Sequence, residues 1–410
     1  MIPEILRENR PFRVYFAGQA ISLVGDQVSL IALPLVGVLV LHATPAQMGY
    51  LTTAALLPNL LFSLHAGAWV DRRGRRRQTM IAADVARAAL VATIPIAYAF
   101  DALTFAQLYA VGFLIGVASV LFNVSSSILF ISLVPRDRFI EANALENGSR
   151  AASNAGGPSI GGLLVQVFSA PVALVADAVS FVASALALAR IDPVEPEVEQ
   201  VERGHLTAGI KYVFNSPIIR SGLGAVTTIN FFNFIFFALF TLYAVRYLDV
   251  RPGVLGLVLG AGAVGGIIGA FATGRIVRRI GVGPAFIVGC VLFPVPLVLV
   301  PLAGGPRWVV LGCLFLAEFG SGFGVMLLDI SYGSISAALV PPRLRARVSG
   351  SFNVVNYGVR PIGAFAGGLL GSAIGVRETL WIAVVGAIAG FLWLLPSPMP
   401  AMKELPEADL

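Results

Sequence analysis

Gly67-Ala68-Trp69-Val70-Asp71-Arg72-Arg73-Gly74-Arg75-Arg76-Arg77 lies between two long apolar runs and carries five arginines and one aspartate. A related stretch recurs 207 residues later as Gly274-Arg275-Ile276-Val277-Arg278-Arg279-Ile280-Gly281. Gly67 and Gly74 keep their spacing in Gly274 and Gly281, and Pro45 and Gly49 map onto Pro252 and Gly256. The spacing predicts two related halves, each with a cationic turn after its second apolar run. A plain membrane-flanking loop would account for the arginines. It would not account for Asp71 or for the repeated glycines.

Outward from that stretch, the composition decides the class. The chain has 410 residues, 57% of them hydrophobic and 12% charged, with a mean hydropathy of +0.86. Soluble domains carry roughly 25% charged residues, so this is an all-α polytopic membrane protein. Spanning helices need about 20 mostly apolar residues. Twelve such segments can be drawn, near 14–41, 46–69, 78–100, 104–133, 141–168, 171–190, 220–246, 252–273, 283–303, 307–339, 347–372 and 377–395. They group into an N-terminal six-helix half (1–190), a linker with an interfacial helix (191–219) and a C-terminal six-helix half (220–410). The linker opens with Asp192, Pro193, Glu195, Pro196, Glu197, Glu199 and Glu202, which reads as solvated chain. It continues into an amphipathic stretch, His205 to Phe214, suited to a membrane surface.

Of the 28 basic residues, 21 fall in the termini and alternate loops. Four (Arg246, Arg251, Arg307, Arg377) fall in the opposite loops, and three (Arg87, Arg150, Arg360) fall inside spans. This asymmetry predicts both termini on the cytoplasmic side of the inner membrane. It also accounts for the net charge of +6 without nucleic acid. Cys290 and Cys313 both lie in spans, and they indicate neither a disulfide framework nor a metal site. No G-x-x-x-x-G-K-[ST] loop occurs, so an ATP-driven pump is not indicated and no cofactor is expected. Arg7, Arg10 and Arg13 precede a long span without a cleavage-site pattern, so no removable leader is expected.

Ionisable groups inside a membrane are costly and normally face a cavity or a partner. Tyr15, Gln19, Ser22 and Asp26 recur at i, i+4, i+7 and i+11, which places them on one helical face. That stripe is expected to line a cavity. Glu318 and Asp329 share a face of the tenth span, about 16 Å apart along its axis. Late in each half the repeat maps Asn123 onto Asp329 and Gly161-Gly162 onto Gly367-Gly368. Earlier it maps Asp26 onto Asn233, one turn from Asn230. A carboxyl that loses its water favours its neutral form, so Asp26, Glu318 and Asp329 are candidate proton carriers. Asp84 and Arg87 sit at i, i+3 and can pair; near the cytoplasmic side they would serve as a structural cluster.

Gly67, Asp71, Arg72, Gly74, Arg75 and Arg76 match G-x-x-x-D-R-x-G-R-[RK], so the chain resembles the major facilitator superfamily. The resemblance implies twelve helices in two six-helix halves, with a substrate site near the midplane. It also implies that the aspartate and arginines latch the halves at the cytoplasmic side. The second copy departs, with Arg278 where the first has Asp71, so a full latch is implied in the first half only. Gly157, Pro158, Gly161 and Gly162 partly match the G-P-x-x-G-G signature of drug–proton antiporters; Ala144 and Ser153 replace its two upstream glycines. Val134-Pro135-Arg136-Asp137-Arg138, Gly25-Asp26 and Arg347-Val348-Ser349-Gly350 resemble the branch of macrolide-efflux and enterobactin-export proteins.

The expected activity is transport, not enzymatic chemistry. The chain would export a small hydrophobic or amphiphilic molecule in exchange for protons, as a monomer in the lipid bilayer. A siderophore exporter or lysolipid flippase on the same scaffold is the alternative within transport, and a non-transporting receptor the alternative outside it.

Overall fold

The computed structural model describes residues 3–193, 206–341 and 344–405. The described residues are helical almost throughout. A short helix α1 (Glu4–Glu8) leads into α2 (Arg10–Leu35), α3 (Pro45–Arg73), α4 (Arg76–Ala99), α5 (Phe105–Leu133), α6 (Phe139–Phe168) and α7 (Ala170–Ala189). The surface helix α8 (Leu206–Asn215) follows, then α9 (Pro217–Leu242), α10 (Pro252–Ile280), α11 (Val282–Leu292) and α12 (Leu299–Leu302). The chain closes with α13 (Arg307–Leu339), α14 (Arg345–Ile374) and α15 (Val376–Ala389). Within the expected linker, 194–205 lies outside the described residues.

Among the described residues nine helices are long and apolar enough to cross a membrane. Helices α3, α6 and α14 are as long, at 29, 30 and 30 residues. For α6 the polar residues have a physical reason. Asn143, Asn147, Arg150 and Asn154 are exposed at i, i+4, i+7 and i+11, a face made for water and not for lipid.

The repeat is visible in the backbone itself. The π-helical turn 36–40 that ends the first long helix recurs at 243–247. His42 and Asp249 both take a left-handed φ, of 52° and 51°. Gly74 and Gly281 are left-handed after α3 and α10, where a helix end requires a residue without a Cβ penalty. Ser169 and Gly375 repeat a φ near 104° and 102° between the last two helices of each half.

The chain forms two compact units. The first comprises Met1–Ala43, Ala54–Val201 and Val250–Gly260, and the second Thr44–Thr53, Glu202–Asp249 and Ala261–Leu410. In the first, α2 packs on α6 and α7, and α4 on α5 and α7. One end of this unit is closed by an aromatic cluster of Phe12, Tyr15, Phe122 and Phe130, onto which Ile5 of α1 docks. In the second unit α9 packs on α14 and α15, and α11 on α13. Between membrane helices there is no hydrophobic driving force, so close packing and polar contacts hold these pairs.

Candidate functional site

Arg87 organises the polar interior of the first unit. Its side chain is 3% exposed, yet it reaches Asp26 of α2, with Nη1 3.9 Å from Oδ1. It also pairs with the fully buried Asp84 one turn earlier on α4. The guanidinium is sandwiched between the rings of Phe122 and Phe181, 4.3 Å from each centroid. Cation–π contact on both faces offsets part of its desolvation. Behind Asp26, the buried Asp177 of α7 accepts hydrogen bonds from Ser29 and from Ser180, the latter at 3.1 Å. Gly25 makes room for that pair, because a Cβ there would overlap Ser180 and Asp177. Two carboxyls therefore flank one guanidinium, and a third stands behind Asp26.

The expected stripe on α2 divides. Tyr15 and Ser22 are 1% and 2% exposed. Tyr15 shares a 2.8 Å hydrogen bond with Ser126 and packs among Phe12 and Phe130, so it belongs to the packed interior. Gln19 is half-buried, and Asp26 keeps 45% of its side chain exposed. Sharing a helical face does not give these residues equal exposure, and of the four Asp26 is the exposed one. Asn123 and Ser127 are exposed on α5.

Sequence reasoning missed Gln27 and Asn154, which bond across α2 and α6 with Nε2 donating to Oδ1 at 2.5 Å. It also set Asp84 and Arg87 aside as a structural cluster near the cytoplasmic side, whereas Arg87 meets Asp26 at the middle of α2. The spacing of Asn143, Asn147, Arg150 and Asn154 was the available signal for the α6 face.

The second unit is arranged differently. Glu318 of α13 lies over Gly262 of α10, and among the described residues it forms no hydrogen bond or ion pair. Asp329 is exposed on the same helix, within electrostatic reach of Arg360 on α14. Arg360 stacks on Tyr357 at 4.3 Å and on Phe234 at 5.2 Å. Asn230 donates to the Val226 carbonyl of its own helix at 3.0 Å, and Asn233 is half-buried. Phe236 and Phe240 are packed inside the unit, so part of the aromatic run on α9 is core. The glycines of α10 split by face. Gly256 meets Pro158 and Gly162 in the first unit, while Gly265 and Gly269 meet Phe319 and Phe323 in the second.

The family model described as Major Facilitator Superfamily matches residues 15–364. The chain belongs to that superfamily. Similar proteins include the multidrug efflux pump Tap of Mycobacterium tuberculosis, 27% identical over 97% of this chain and 96% of that protein. The pump of the same name from Mycolicibacterium fortuitum is 24% identical, covering 93% of each. Among solved structures, a bacterial homologue of the iron transporter ferroportin, in an inward-facing state, aligns with a TM-score of 0.76 at 18% identity. That alignment covers 94% of this chain and 98% of the other. The nucleoside transporter NupG aligns at 0.79 and 11% identity, over 94% and 99%. These two likenesses concern the fold alone.

Superfamily membership gives the cationic stretch its context. The Asp71 side chain lies outside the described ones. Arg73 stacks on Trp69 at 5.1 Å, and Arg72 and Arg75 are exposed, while Arg76 is buried. Arg77 ties the turn to the end of α7, donating to the Leu188 and Ala189 carbonyls and pairing with Asp192 at 3.2 Å. A Cβ on Gly67 would meet nothing within 4 Å, so packing within the described residues does not explain that glycine. The antiporter-like motif on α6 has a plain packing role. Gly157 and Gly161 seat Gln27 and Val28 of α2, while Pro158 and Gly162 seat Gly256 of α10.

Proposed function

We propose that the chain is a secondary active exporter that moves a small hydrophobic or amphiphilic molecule out of the cell in exchange for protons. Asp26 carries this reading. It is a water-accessible carboxyl at mid-helix, tied to a buried cation and backed by two further acids. An exposed acid at that depth has no use against lipid, and a proton on it changes the charge of the whole group. The excess of carboxyls favours neutral or cationic molecules over anionic ones. The Tap relatives, named as multidrug efflux pumps, support export of varied compounds. Both termini lie in the cytoplasm in this reading, the charge cluster around Asp71 acts as a latch, and a monomer suffices.

The test is transport in proteoliposomes holding the purified protein, with a fluorescent hydrophobic cation as substrate and an imposed pH gradient. Substrate accumulation that follows the gradient and collapses with a protonophore is the expected result. Binding without accumulation would mark a receptor. Accumulation indifferent to the protonophore would remove the proton from the mechanism.

A further inference from the structure

The second copy of the cationic stretch has so far no role. It lacks the acid of the first copy: Arg278 stands at the repeat position of Asp71, next to Arg279. In the structure these two arginines, in the last turn of α10, line a cavity of about 610 Å³ inside the second unit. Its other polar walls are Ser331 and Ser334 of α13, and Lys403 and Glu404 of the C-terminal segment. Val277, Ile280, Val282, Ile330 and Leu405 supply the apolar part.

Three features mark this cavity as a binding site for a specific class of ligand. The first is charge. Three cations face one carboxylate, and among the described residues none of the three cations is in an ion pair. The second is a hydroxyl left over: Ser331 is 1% exposed, and among the described residues its Oγ has no hydrogen-bond partner. A buried hydroxyl without a partner is costly, and a ligand oxygen inside the cavity would satisfy it. The third is preorganisation. Lys403 is held in place by its backbone, because its carbonyl accepts from Val282 N–H at 3.2 Å, and the Met402 carbonyl accepts from Gly283 N–H at 2.9 Å. Gly281 and Gly283 permit that approach, since a Cβ on either would strike the 399–403 backbone.

We infer that this cavity binds the phosphate headgroup of an anionic phospholipid, with Arg278, Arg279 and Lys403 around the phosphate and Ser331 donating to it. A lipid, not free phosphate, is the occupant because the cavity lies at the end of apolar helices and half of its wall is aliphatic. Basic pockets between helices at the membrane surface bind anionic headgroups in this way. None of Asp26, Glu318 or Asp329 lines the cavity, and the inference does not rest on the transport reading.

The test uses the full-length protein in neutral detergent, titrated with phosphatidylglycerol, phosphatidylcholine or inorganic phosphate. Bound lipid is counted by native mass spectrometry, and thermal midpoints are read in parallel. Saturable retention of phosphatidylglycerol, with no comparable retention of phosphatidylcholine, is expected. Arg278→Gln with Arg279→Gln should weaken it roughly 30-fold, taking about one surface-scale interaction per arginine. Ser331→Ala should weaken it roughly 5-fold, whereas Arg251→Gln, which is not among the cavity's lining residues, should leave it unchanged. The arginine variants keep their thermal midpoints without lipid because those side chains are exposed, and Ser331→Ala keeps its own because the hydroxyl it removes bonds to none of the described residues. Equal retention of both lipids would overturn the assignment, as would wild-type affinity in the double variant. So would a full thermal shift from inorganic phosphate alone. Binding that appears only after residues 406–410 are deleted would name the chain's own tail as the occupant instead.

Discussion

Arg87 Nη1 lies 3.9 Å from Asp26 Oδ1, joining a cation buried on α4 to an acid exposed on α2. The pair is asymmetric in its dependence on water. Asp26 can hydrate when its edge opens, but Arg87 cannot, because Asp84 and two aromatic rings enclose it. Removing Arg87 therefore strands Asp84 in the interior. Arg87→Ala should cost about 3–5 kcal/mol of stability, the usual scale for breaking a buried pair. Arg87→Lys should lie between, keeping charge but losing the planar stack and the fork. Replacing both partners, Arg87→Met with Asp84→Leu, should recover most of the loss. Thermal unfolding in detergent reads all three, and an Arg87→Ala midpoint equal to wild type would show that Asp84 finds another partner.

The glycine contacts of α6 make a second expectation. Gly256 and Gly162 approach so closely that a built Cβ on Gly256 falls 3.1 Å from the Gly162 Cα. Gly256→Val should overpack this crossing and destabilise the first unit by about 1–3 kcal/mol. Gly67→Val, whose Cβ meets nothing within 4 Å, should leave the midpoint unchanged. Equal midpoints for the two variants would mean that the α6–α10 contact contributes nothing.

At the membrane surface Arg138 gathers Glu4 at 2.6 Å, Glu141 at 3.4 Å and Glu8 at 3.6 Å. This clamps α1 to the start of α6. Hydrogen bonding and charge from Arg138 hold the Glu4 carboxyl below its ordinary value of 4.5. A depressed carboxyl contributes stability above its unfolded value and loses it as the pH falls through the folded one. Docking of α1 should therefore be full at neutral pH and weaken below about pH 4.5. Amide protection factors across residues 4–8, with intrinsic rates corrected for pH, should fall with acid in the wild type. In Arg138→Gln they should already be low at neutral pH. Constant protection across that range in the wild type would remove Arg138 as the clamp.

How much of this was legible in the sequence depends on what each residue type can hide. The helices and the repeated turns follow from apolar length and glycine spacing, signals that no packing detail can erase. The roles of Tyr15 and Ser22 were not legible. A polar stripe on one helix predicts which residues share a face, but neighbouring helices decide how much of that face remains open. Tyr15 and Ser22 turn into α5 and α7, and Asp26 alone stays at the edge. The Gln27–Asn154 bond was hidden for another reason, since uncharged amides in a helix carry no charge pattern to mark them. Glu318 was legible as an acid inside a span, and among the described residues it forms no hydrogen bond or ion pair.

The 21-to-4 division of basic residues between alternate sets of loops makes a topological prediction. In a Cys290→Ser, Cys313→Ser background, a single cysteine at Glu197 should react with an impermeant maleimide only after the membrane is opened. A cysteine at Arg307 should react in intact cells. Reversal of the two patterns would invert the orientation and place the Asp71 cluster outside the cytoplasm.

The proton-coupling reading leads to the last prediction, which separates two acids that look alike in sequence. Asp26 is tied to Arg87, so deprotonation leaves it with a partner; Glu318 has none among the described residues. Asp26→Asn and Glu318→Gln both mimic the protonated state, and each should keep passive substrate exchange while losing accumulation against a gradient. They should differ in exchange rate. Asp26→Asn removes one of the three carboxyls near Arg87, which weakens the attraction of this interior for a cationic substrate. Glu318→Gln removes only a cost. Exchange of a cationic dye should therefore slow in Asp26→Asn and stay near wild type in Glu318→Gln, measured as counterflow in proteoliposomes without a pH gradient. If both variants still accumulate dye uphill at the wild-type rate, singly and together, neither acid carries the coupling proton and Asp177 becomes the next to test.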